Sequence, residues 1–518
     1  MPSSRIPAPE EDESRPTNVG LLFAALMVTM LLASLNQTVL ATALPTMVGE
    51  LHGVDQMTWV ISSYILASTI MMPVYGRISD QLGRKPVLLA AIALFIAGSV
   101  IGGLAPNMAA LILARVIQGL GAGGLMILSQ AAIADVVPAR ERGKYMGALG
   151  AVFAVSSVAG PLLGGWFTEG PGWRWAFWIN LPLGALAIGA VSLLLHLPRR
   201  ASASRPRLDY LGMALLAGAT TALVLVTTWG GHEFDWLSPQ IIGLAVAFLA
   251  LAGLFVWAES RASSPVIPLG LFRERNFALT TVASLSVGVM MFGTIGYMPT
   301  YLQMVTGVDA TEAGLLMIPM MGGLLVASVV SGQMVSRSGR YKAFPLTGSV
   351  VMAIGMLLIS TLTVESPLIV LCAYICLFGL GIGMSMQILT LIVQNTFPNA
   401  IVGTATASNN YFRQVGATLG SAVVGSVFAS RLTAELTARL PSAGGVPDGM
   451  AINSLTPAGV NALPEELRDV IVHAYNHALM PIFAFLVPLA VVALVALIFL
   501  KEVPLATSVH TEVTQETT

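Results

Sequence analysis

The stretch GRISDQLGRKP, residues 76 to 86, separates two long apolar segments and is the most informative part of this sequence. Gly76 and Gly83 permit a tight turn between two membrane-spanning helices, because glycine adopts backbone conformations that other residues avoid. Asp80 lies between them, and the other charges of the stretch are basic: Arg77, Arg84 and Lys85. Basic residues alone would suffice to anchor a loop at the inner surface of a membrane. The acid and the paired glycines therefore indicate a structured turn with a further role.

The segments around this stretch are those of a membrane protein. The chain has 518 residues, of which 55% are hydrophobic and only 10% charged, and its mean hydropathy is +0.81. A helix needs about twenty mostly apolar residues to cross a hydrocarbon core of about 30 Å, and fourteen segments between residues 20 and 500 are long enough. Each exceeds the roughly ten-residue strands of a membrane barrel. The sequence predicts an all-α integral membrane protein with fourteen transmembrane helices.

The basic residues predict which side of the membrane each loop occupies. If the polar, acidic segment 1–19 is inside, 19 of the 25 Lys and Arg residues fall on the inner side and four on the outer side. The remaining two, Arg115 and Arg413, fall at membrane depth. Inner loops of membrane proteins are enriched in Lys and Arg. We therefore expect a multi-pass protein of the plasma (inner) membrane with both termini in the cytoplasm.

The opening stretch resembles the signature loop of the major facilitator superfamily, G-x-x-x-D-x-x-G-R-K, matched here by Gly76, Asp80, Gly83, Arg84 and Lys85. A second copy, GQMVSRSGRYK at 332–342, follows helix 10 and has Ser336 in place of the acid. Internal repeats of this kind are typical of transporters. In related proteins the acid and its basic neighbours latch the cytoplasmic side shut, and the resemblance implies this role for the first copy.

Further motifs resemble the fourteen-helix drug:proton antiporter branch of that family. RVIQGLGAGG at 115–124 is similar to its helix 4 motif, and WRWAFWINLPLG at 173–184 and LNQTVLATALP near residue 36 are also similar to its sequences. The antiporter motif of helix 5 is matched by GPLLGG, that is by Gly160, Pro161, Gly164 and Gly165. Small residues and proline should let this helix bend and pack closely against a neighbour. The resemblance covers approximately residues 20–430.

The resemblance implies two six-helix bundles around a central cavity, with helices 7 and 8 inserted between them. The expected organisation is a cytoplasmic tail (1–19), an N-terminal bundle (20–197), the two linker helices (198–258), a cytoplasmic loop (259–277), a C-terminal bundle (278–500) and a second cytoplasmic tail (501–518). The C-terminal bundle contains a long outer loop, 431–478, whose last part, PEELRDVIVHAYNHAL, is predicted to form an amphipathic helix on the outer face.

Asn36 lies at the helix 1 position where the antiporter branch usually has Asp. A carboxylate buried at that depth is costly to keep ionised, so it can bind and release a proton, whereas Asn cannot. Two explanations stay open: the protein couples to something other than a proton here, or the chain carries an Asp-to-Asn change that mimics the protonated state. Arg115 should face the bundle interior with a partner, which would be backbone carbonyls, Gln118 or water. We expect Asn36 and Arg115 to mark the proton-coupling site.

The nature of the substrate is suggested by helices 9 and 10, which are rich in methionine, a flexible side chain common on promiscuous binding surfaces. The candidate cavity residues are Tyr64, Met291, Tyr297, Gln387, Asn409, Asn410 and Arg413. The sequence favours a secondary active exporter of lipophilic small molecules, a multidrug efflux protein driven by protons. An exporter of a lipid, siderophore or other cell product, and a membrane sensor that does not transport, are the alternatives.

Other classes of function lack their signatures in the sequence. There is no nucleotide-binding G-x-x-x-x-G-K-[ST] loop and no convincing nucleophile triad, so we expect neither an enzyme nor a cofactor. His473 and His477 have a metal-like spacing but no third ligand nearby, and no metal site is expected. The expected partners are a lipophilic small molecule, protons and the lipid bilayer, and not nucleic acid.

Overall fold

The computed structural model describes residues 19–53, 56–195, 208–231, 233–439, 459–460 and 463–507. Within these ranges it contains fourteen helices long and apolar enough to span a membrane, and no strand. The helices are α1 (Val19–Glu50), α2 (Met57–Leu82), α3 (Arg84–Gly103), α4 (Met108–Val136), α5 (Ala139–Glu169), α6 (Trp175–Leu194), α7 (Tyr210–Trp229), α8 (Pro239–Arg261), α9 (Arg275–Thr306), α10 (Thr311–Ser338), α11 (Ala343–Ser360), α12 (Leu368–Thr396), α13 (Val402–Arg439) and α14 (Glu465–Ile498).

Local sequence explains where several helices begin or break. The side chain of Asn107 caps α4 by accepting a hydrogen bond from the Ala110 amide at 2.9 Å. Gly83 separates α2 from α3 with a φ of 92°, a conformation that favours glycine. α9 and α10 are each interrupted, and their second segments begin at Met298 and Ile318, next to prolines that lack an amide donor.

The fourteen helices confirm the predicted architecture of two six-helix bundles with two inserted helices, and apolar side chains pack mostly within each bundle. Two clusters join α1 to α6, one with Leu26 and Phe95 and the other with Phe177. A larger cluster joins α9 to α14 through Phe378 and Phe483 and also reaches Ala154 of α5. Each bundle therefore packs mainly against itself.

The inserted helices α7 and α8 differ in their surroundings. α7 lies along the seam between α2 and α13, where the Thr220 and Tyr411 hydroxyls are 2.9 Å apart and Leu216 packs beside Val74 and Tyr411. On α8 the buried residues are Ile241, Ala258 and Glu259, and most of its other side chains are apolar and accessible. An apolar, accessible helix fits a lipid environment.

The C-terminal end of the fold corrects one expectation. The segment PEELRDVIVHAYNHAL is not a separate surface helix, because α14 runs without a break from Glu465 to Ile498. Its apolar residues Leu467, Ile471 and Tyr475 are buried in the C-terminal core, and Asn476 donates a hydrogen bond to the Tyr301 hydroxyl at 2.8 Å. α13 likewise continues to Arg439, so the predicted outer loop 431–478 is shorter at both ends.

The other predicted domain limits stay predictions. Most of the two tails, 1–18 and 508–518, lies outside the described residues, as do 196–207 and, in the outer loop, 440–458 and 461–462. The predicted loop 259–277 is partly helical. The last three residues of α8, which ends at Arg261, fall within it, and so does a short 3₁₀ helix at Leu269–Arg273.

The two bundles meet along two equivalent seams, α2 with α13 and α5 with α10. A Cβ atom added at Gly76 would lie 2.5 Å from the Ala407 side chain. At Gly332, the equivalent glycine of the second sequence copy, an added Cβ would collide with the Gly143 carbonyl. Both copies of the repeated motif therefore place a glycine where a helix of the other bundle passes closest.

Candidate functional site

We call the end of the molecule at Asp80 and Gly83 the Asp80 face and the opposite end, at Glu50, the Glu50 face. At the Asp80 face, the Asp80 carboxylate accepts hydrogen bonds from the Thr404 amide at 2.7 Å, the Thr404 hydroxyl at 2.5 Å and the Gly403 amide at 3.3 Å. These amides belong to the first turn of α13, where a helix presents unpaired N–H groups and partial positive charge. A carboxylate of the N-terminal bundle thus holds a helix end of the C-terminal bundle.

Arg84 is the basic residue of this cluster and contacts its two acids. It is 2% exposed, and its guanidinium lies 2.5 Å from Asp80 and 3.1 Å from Asp135. It also donates a hydrogen bond to the Ser79 hydroxyl at 2.6 Å. Lys85 points elsewhere and donates to the Ser192 carbonyl of α6 at 2.7 Å. The structure therefore brings together Gly76, Asp80, Gly83 and Arg84 of the predicted latch, and Asp135 is a member that the motif did not reveal.

The second copy of the motif forms a counterpart without an acid on the α5–α10 seam, where Arg140 of α5 donates to the Arg337 carbonyl at 3.2 Å. Ser336, which replaces the acid, accepts a hydrogen bond from the Lys144 amide at 3.0 Å. Gly339 has a positive φ of 72°, as Gly83 has with 92°, but its ψ of 3° differs from the 154° of Gly83. A glycine with positive φ is therefore repeated, while the exact turn and the acid are not.

Further hydrogen bonds connect the two bundles in the half of the molecule that ends at the Asp80 face, which we call the Asp80 half. Arg142 donates to the Gln394 carbonyl at 3.2 Å, and the Gln394 amide donates to the Gln130 carbonyl at 3.2 Å. The Asn410 amide donates to the Gln130 side-chain oxygen, also at 3.2 Å, and Asn410 in turn accepts from Arg413. Sequence reasoning missed Gln130 and Gln394. The feature that could have identified both residues in the sequence is a polar amide side chain within an otherwise apolar membrane span.

Inside the N-terminal bundle, Asn36 and Arg115 are in direct contact. Asn36 is 1% exposed, and its oxygen accepts a hydrogen bond from Arg115 at 2.7 Å. Arg115 also donates to Gln118 at 2.9 Å and to the Val60 carbonyl at 3.0 Å, two of the kinds of partner expected from the sequence. Its guanidinium lies 4.0 Å from the centre of the Tyr64 ring. The buried charge is thus held by dipoles and an aromatic ring.

The network continues to residues that the sequence did not single out. Gln118 donates to the Ser99 hydroxyl at 2.8 Å, and Asn180 donates to the same hydroxyl at 3.3 Å. The Asn36 amide nitrogen, by contrast, is buried and has no hydrogen-bond partner among the residues that the structure describes. An Asp at this position would have an acceptor oxygen in its place. The described surroundings of Asn36 therefore contain no hydrogen-bond acceptor that would require an amide at this position.

The antiporter motif of α5 packs against α1 beside Asn36. A Cβ added at Gly160 would overlap the Thr38 side chain, and one added at Gly164 would lie 2.7 Å from the Val39 carbonyl. Thr38 donates a hydrogen bond to the Ser156 carbonyl of α5 at 2.9 Å. Pro161 lies within α5, and nothing is within 4 Å of a Cβ added at Gly165. Two of the three glycines therefore make the predicted close contact.

A cavity of about 380 Å³ lies between the bundles in the half that ends at the Glu50 face. Tyr297 lines it, and its hydroxyl donates to the Ser421 carbonyl at 3.0 Å. The other six candidate cavity residues do not line it. Tyr64 packs against Arg115 and Met291 is in the C-terminal core. Gln387, Asn409 and Asn410 are buried within α12 and α13, and Arg413 is half-buried and directly precedes Gln414, which lines the cavity. Their part in binding stays a prediction.

Comparisons with known proteins agree with this arrangement. The chain is 42% identical to the uncharacterized MFS-type transporter Rv1877 of Mycobacterium tuberculosis, over 96% of this chain and 71% of that one. It is 31% identical to multidrug resistance protein 3 of Bacillus subtilis, over 93% and 95% of the two chains. Among solved structures, the human organic anion transporter MFSD10 matches with a TM-score of 0.61 at 16% identity, over 93% of this chain and all of that one, which shows a shared fold.

The family model described as Major Facilitator Superfamily matches residues 26–421. This range contains both copies of the turn motif, the Asn36–Arg115 contact and the two seams between the bundles. It covers well over half of the sequence, and the fourteen apolar helices make the protein a multi-pass membrane protein. The chain belongs to the Major Facilitator Superfamily and is a membrane transporter.

Proposed function

We propose that this transporter exports lipophilic compounds in exchange for protons, and that its Asp80 face is cytoplasmic. The observation that carries the proposal is the difference between the two halves of the bundle boundary. The Asp80 half is closed by buried hydrogen bonds between the bundles, and the cavity lies in the opposite half. This is the arrangement expected of an exporter whose binding site faces outward.

The orientation is supported by charge. The loops at the Asp80 face carry most of the basic residues, including Arg77, Arg140 and Lys342, and inner loops of membrane proteins carry such an excess. Both termini then lie in the cytoplasm, and the membrane is the plasma (inner) membrane. The sequence similarity to proteins named multidrug transporters supports lipophilic compounds as the substrate class.

The proposed proton site is the contact between Asn36 and Arg115. An Asp at position 36 would place a carboxylate oxygen 2.7 Å from Arg115, where the Asn36 oxygen lies now. Protonation would remove that charge attraction, and Thr38 and Gly160 would carry the resulting shift of α1 to α5. In this proposal Asn36 mimics the protonated state. A pH gradient supplies about 1.4 kcal/mol per unit to drive the exchange.

The test is efflux from proteoliposomes under an imposed pH gradient, with ethidium and the neutral dye Nile red as substrates. The chain with Asn36 is compared with Asn36→Asp. Efflux that follows the gradient only in the Asp form supports the proton site and the exporter. Gradient-driven efflux by both forms would place the proton elsewhere. Absence of efflux of either dye, with both proteins folded and inserted, would contradict multidrug export and favour a dedicated product exporter or a sensor.

A further inference from the structure

The cavity between the bundles has a wall that neither bundle supplies. The end of α7, with the residues just after it, lines the cavity alongside α2, α9 and α13, through Val224, Leu225, Thr227, Thr228, Trp229, Gly230 and Glu233. It extends from Thr58 to Ile65 along α2 and from Ala422 to Gln414 along α13, about two helical turns or roughly 10 Å. A volume of 380 Å³ is within the range of small-molecule sites. The inserted helix α7 thus completes a site that opens between two moving bodies.

Aromatic rings from different parts of the fold meet at this wall. The Trp59 and Trp229 ring centres are 6.0 Å apart with planes at 81°, and Trp229 contacts Phe234 at 5.9 Å in a similar geometry. Phe292 and Tyr297 of α9 line the cavity as well. The Tyr297 hydroxyl is tied to the Ser421 carbonyl, which fixes this ring. Such rings offer flat, electron-rich faces to a ligand.

The charge of the cavity is negative at its mouth. Among the described residues that line it, Glu233 is acidic and none is basic, and the other polar groups are hydroxyl, amide and indole groups. Glu233 is exposed at the connection between α7 and α8. Deeper in the fold, Arg115 and Arg413 would repel a cation. The favourable position for a cationic ligand is therefore the Glu50 half, next to Trp59, Trp229 and Glu233.

We propose that this cavity binds planar aromatic cations and that the end of α7, through Trp229 and the nearby Glu233, is a substrate-binding element. The inference rests on the proposed function as an exporter and specifies its substrate class. Tryptophan faces attract organic cations through the ring quadrupole, and a nearby carboxylate adds long-range attraction. The inserted helices then do more than join the bundles, since α7 forms one side of the outward-facing site.

The test is equilibrium binding of ethidium to the full-length protein in lipid nanodiscs, followed by fluorescence polarisation. Trp229→Ala should raise Kd about tenfold and Trp229→Phe about threefold, because a phenyl ring retains part of the cation attraction. Glu233→Gln should raise Kd about threefold at low salt, with a smaller effect at high salt. The matched control is Trp257→Ala, which removes an exposed tryptophan from α8, away from the cavity, and should leave Kd unchanged.

Two results would overturn the inference. One is an equal Kd for Trp229→Ala and Trp257→Ala, and the other is wild-type protein that binds no ethidium. Binding of Nile red separates this failure from failure of the exporter itself. If Nile red is bound and is exported by the Asn36→Asp form, while ethidium binding does not depend on Trp229 or Glu233, the exporter stands and the cation site does not. The exposed Glu233→Gln change keeps the test decisive even if Trp229→Ala fails to fold, because it removes no packing.

Discussion

Replacing Asp80 by Asn should weaken closure of the Asp80 face. Asn keeps the size of the side chain but loses the charge that faces Arg84 at 2.5 Å and the amides of Gly403 and Thr404. Hydrogen bonds to a charged group contribute about 1.5–3 kcal/mol each, against about 0.5–1.5 kcal/mol for neutral ones. With two amide bonds and one hydroxyl bond across the boundary, we expect a loss of about 2 kcal/mol or more. That shifts the ratio of closed to open states about thirtyfold.

The assay is the distance between spin labels placed at Leu82 and Ala400, two exposed residues at the Asp80 face on opposite bundles. Cys372 and Cys376 are first changed to Ser so that only the introduced cysteines react. Asp80→Asn should shift the distance distribution toward longer values. The control is Glu141→Gln at the same face, where the carboxylate pairs only with Lys144 of its own helix and both side chains are well exposed.

The reasoning would be refuted by a distance distribution for Asp80→Asn that matches both the wild type and Glu141→Gln. Such a result would mean that the amides of the first turn of α13 are satisfied equally well by a neutral side chain. A longer distance in both variants would instead indicate a general charge effect at this face. Thermal stability measured in parallel separates opening of the face from unfolding.

Three further changes test other parts of the structure. Gly160→Val should abolish gradient-driven efflux in the Asn36→Asp background, because the added side chain would overlap Thr38. Gly165→Val, where the added side chain meets open space, should be tolerated, and efflux rates of the two variants check this. Ser336→Asp should favour closure by about 0.5–2 kcal/mol, since it adds a carboxylate beside the Lys144 amide, and the opposite shift of the spin-label distances would contradict it. Arg115→Lys should lower the thermal unfolding temperature of the purified protein, because a lysine cannot reach Asn36, Gln118 and the Val60 carbonyl together, and an unchanged temperature would show that these bonds add little.

The fold could be predicted from the sequence because its main signals are local. The length of the apolar segments gives the number of helices, and the repeated turn motif gives the two halves. The partners of Arg115 were partly predictable as well, since a charge buried in a membrane must find dipoles nearby. Gln118, one turn away on the same helix, was accessible to that reasoning.

The rest depends on contacts between distant segments. Ser99 and Asn180 join the Arg115 network from other helices, and no spacing along the chain reveals them. The cavity is a property of how two bundles stand relative to each other, so its lining residues could not be read from helix patterns. The continuous α14 was missed for a related reason. The apolar side of its first turns is covered by the C-terminal core, whereas the sequence alone suggested a membrane surface.

The two seams between the bundles share a backbone design but differ in chemistry. On the α5–α10 seam, Gly143 and Gly147 meet Gly332 and Ser328 directly, and Ser328 donates to the Gly147 carbonyl at 3.1 Å. At these residues the contact is between neutral groups and is closely packed, so it depends on shape rather than on charge. On the α2–α13 seam the contact at the Asp80 face depends on a buried charge, which loses far more energy when its partners separate. In the proposed rocking motion, opening of the Asp80 face would separate the buried Asp80 carboxylate from the α13 amides on one seam and the exposed Arg140 from the Arg337 carbonyl on the other, and the cavity lies along the α2–α13 seam.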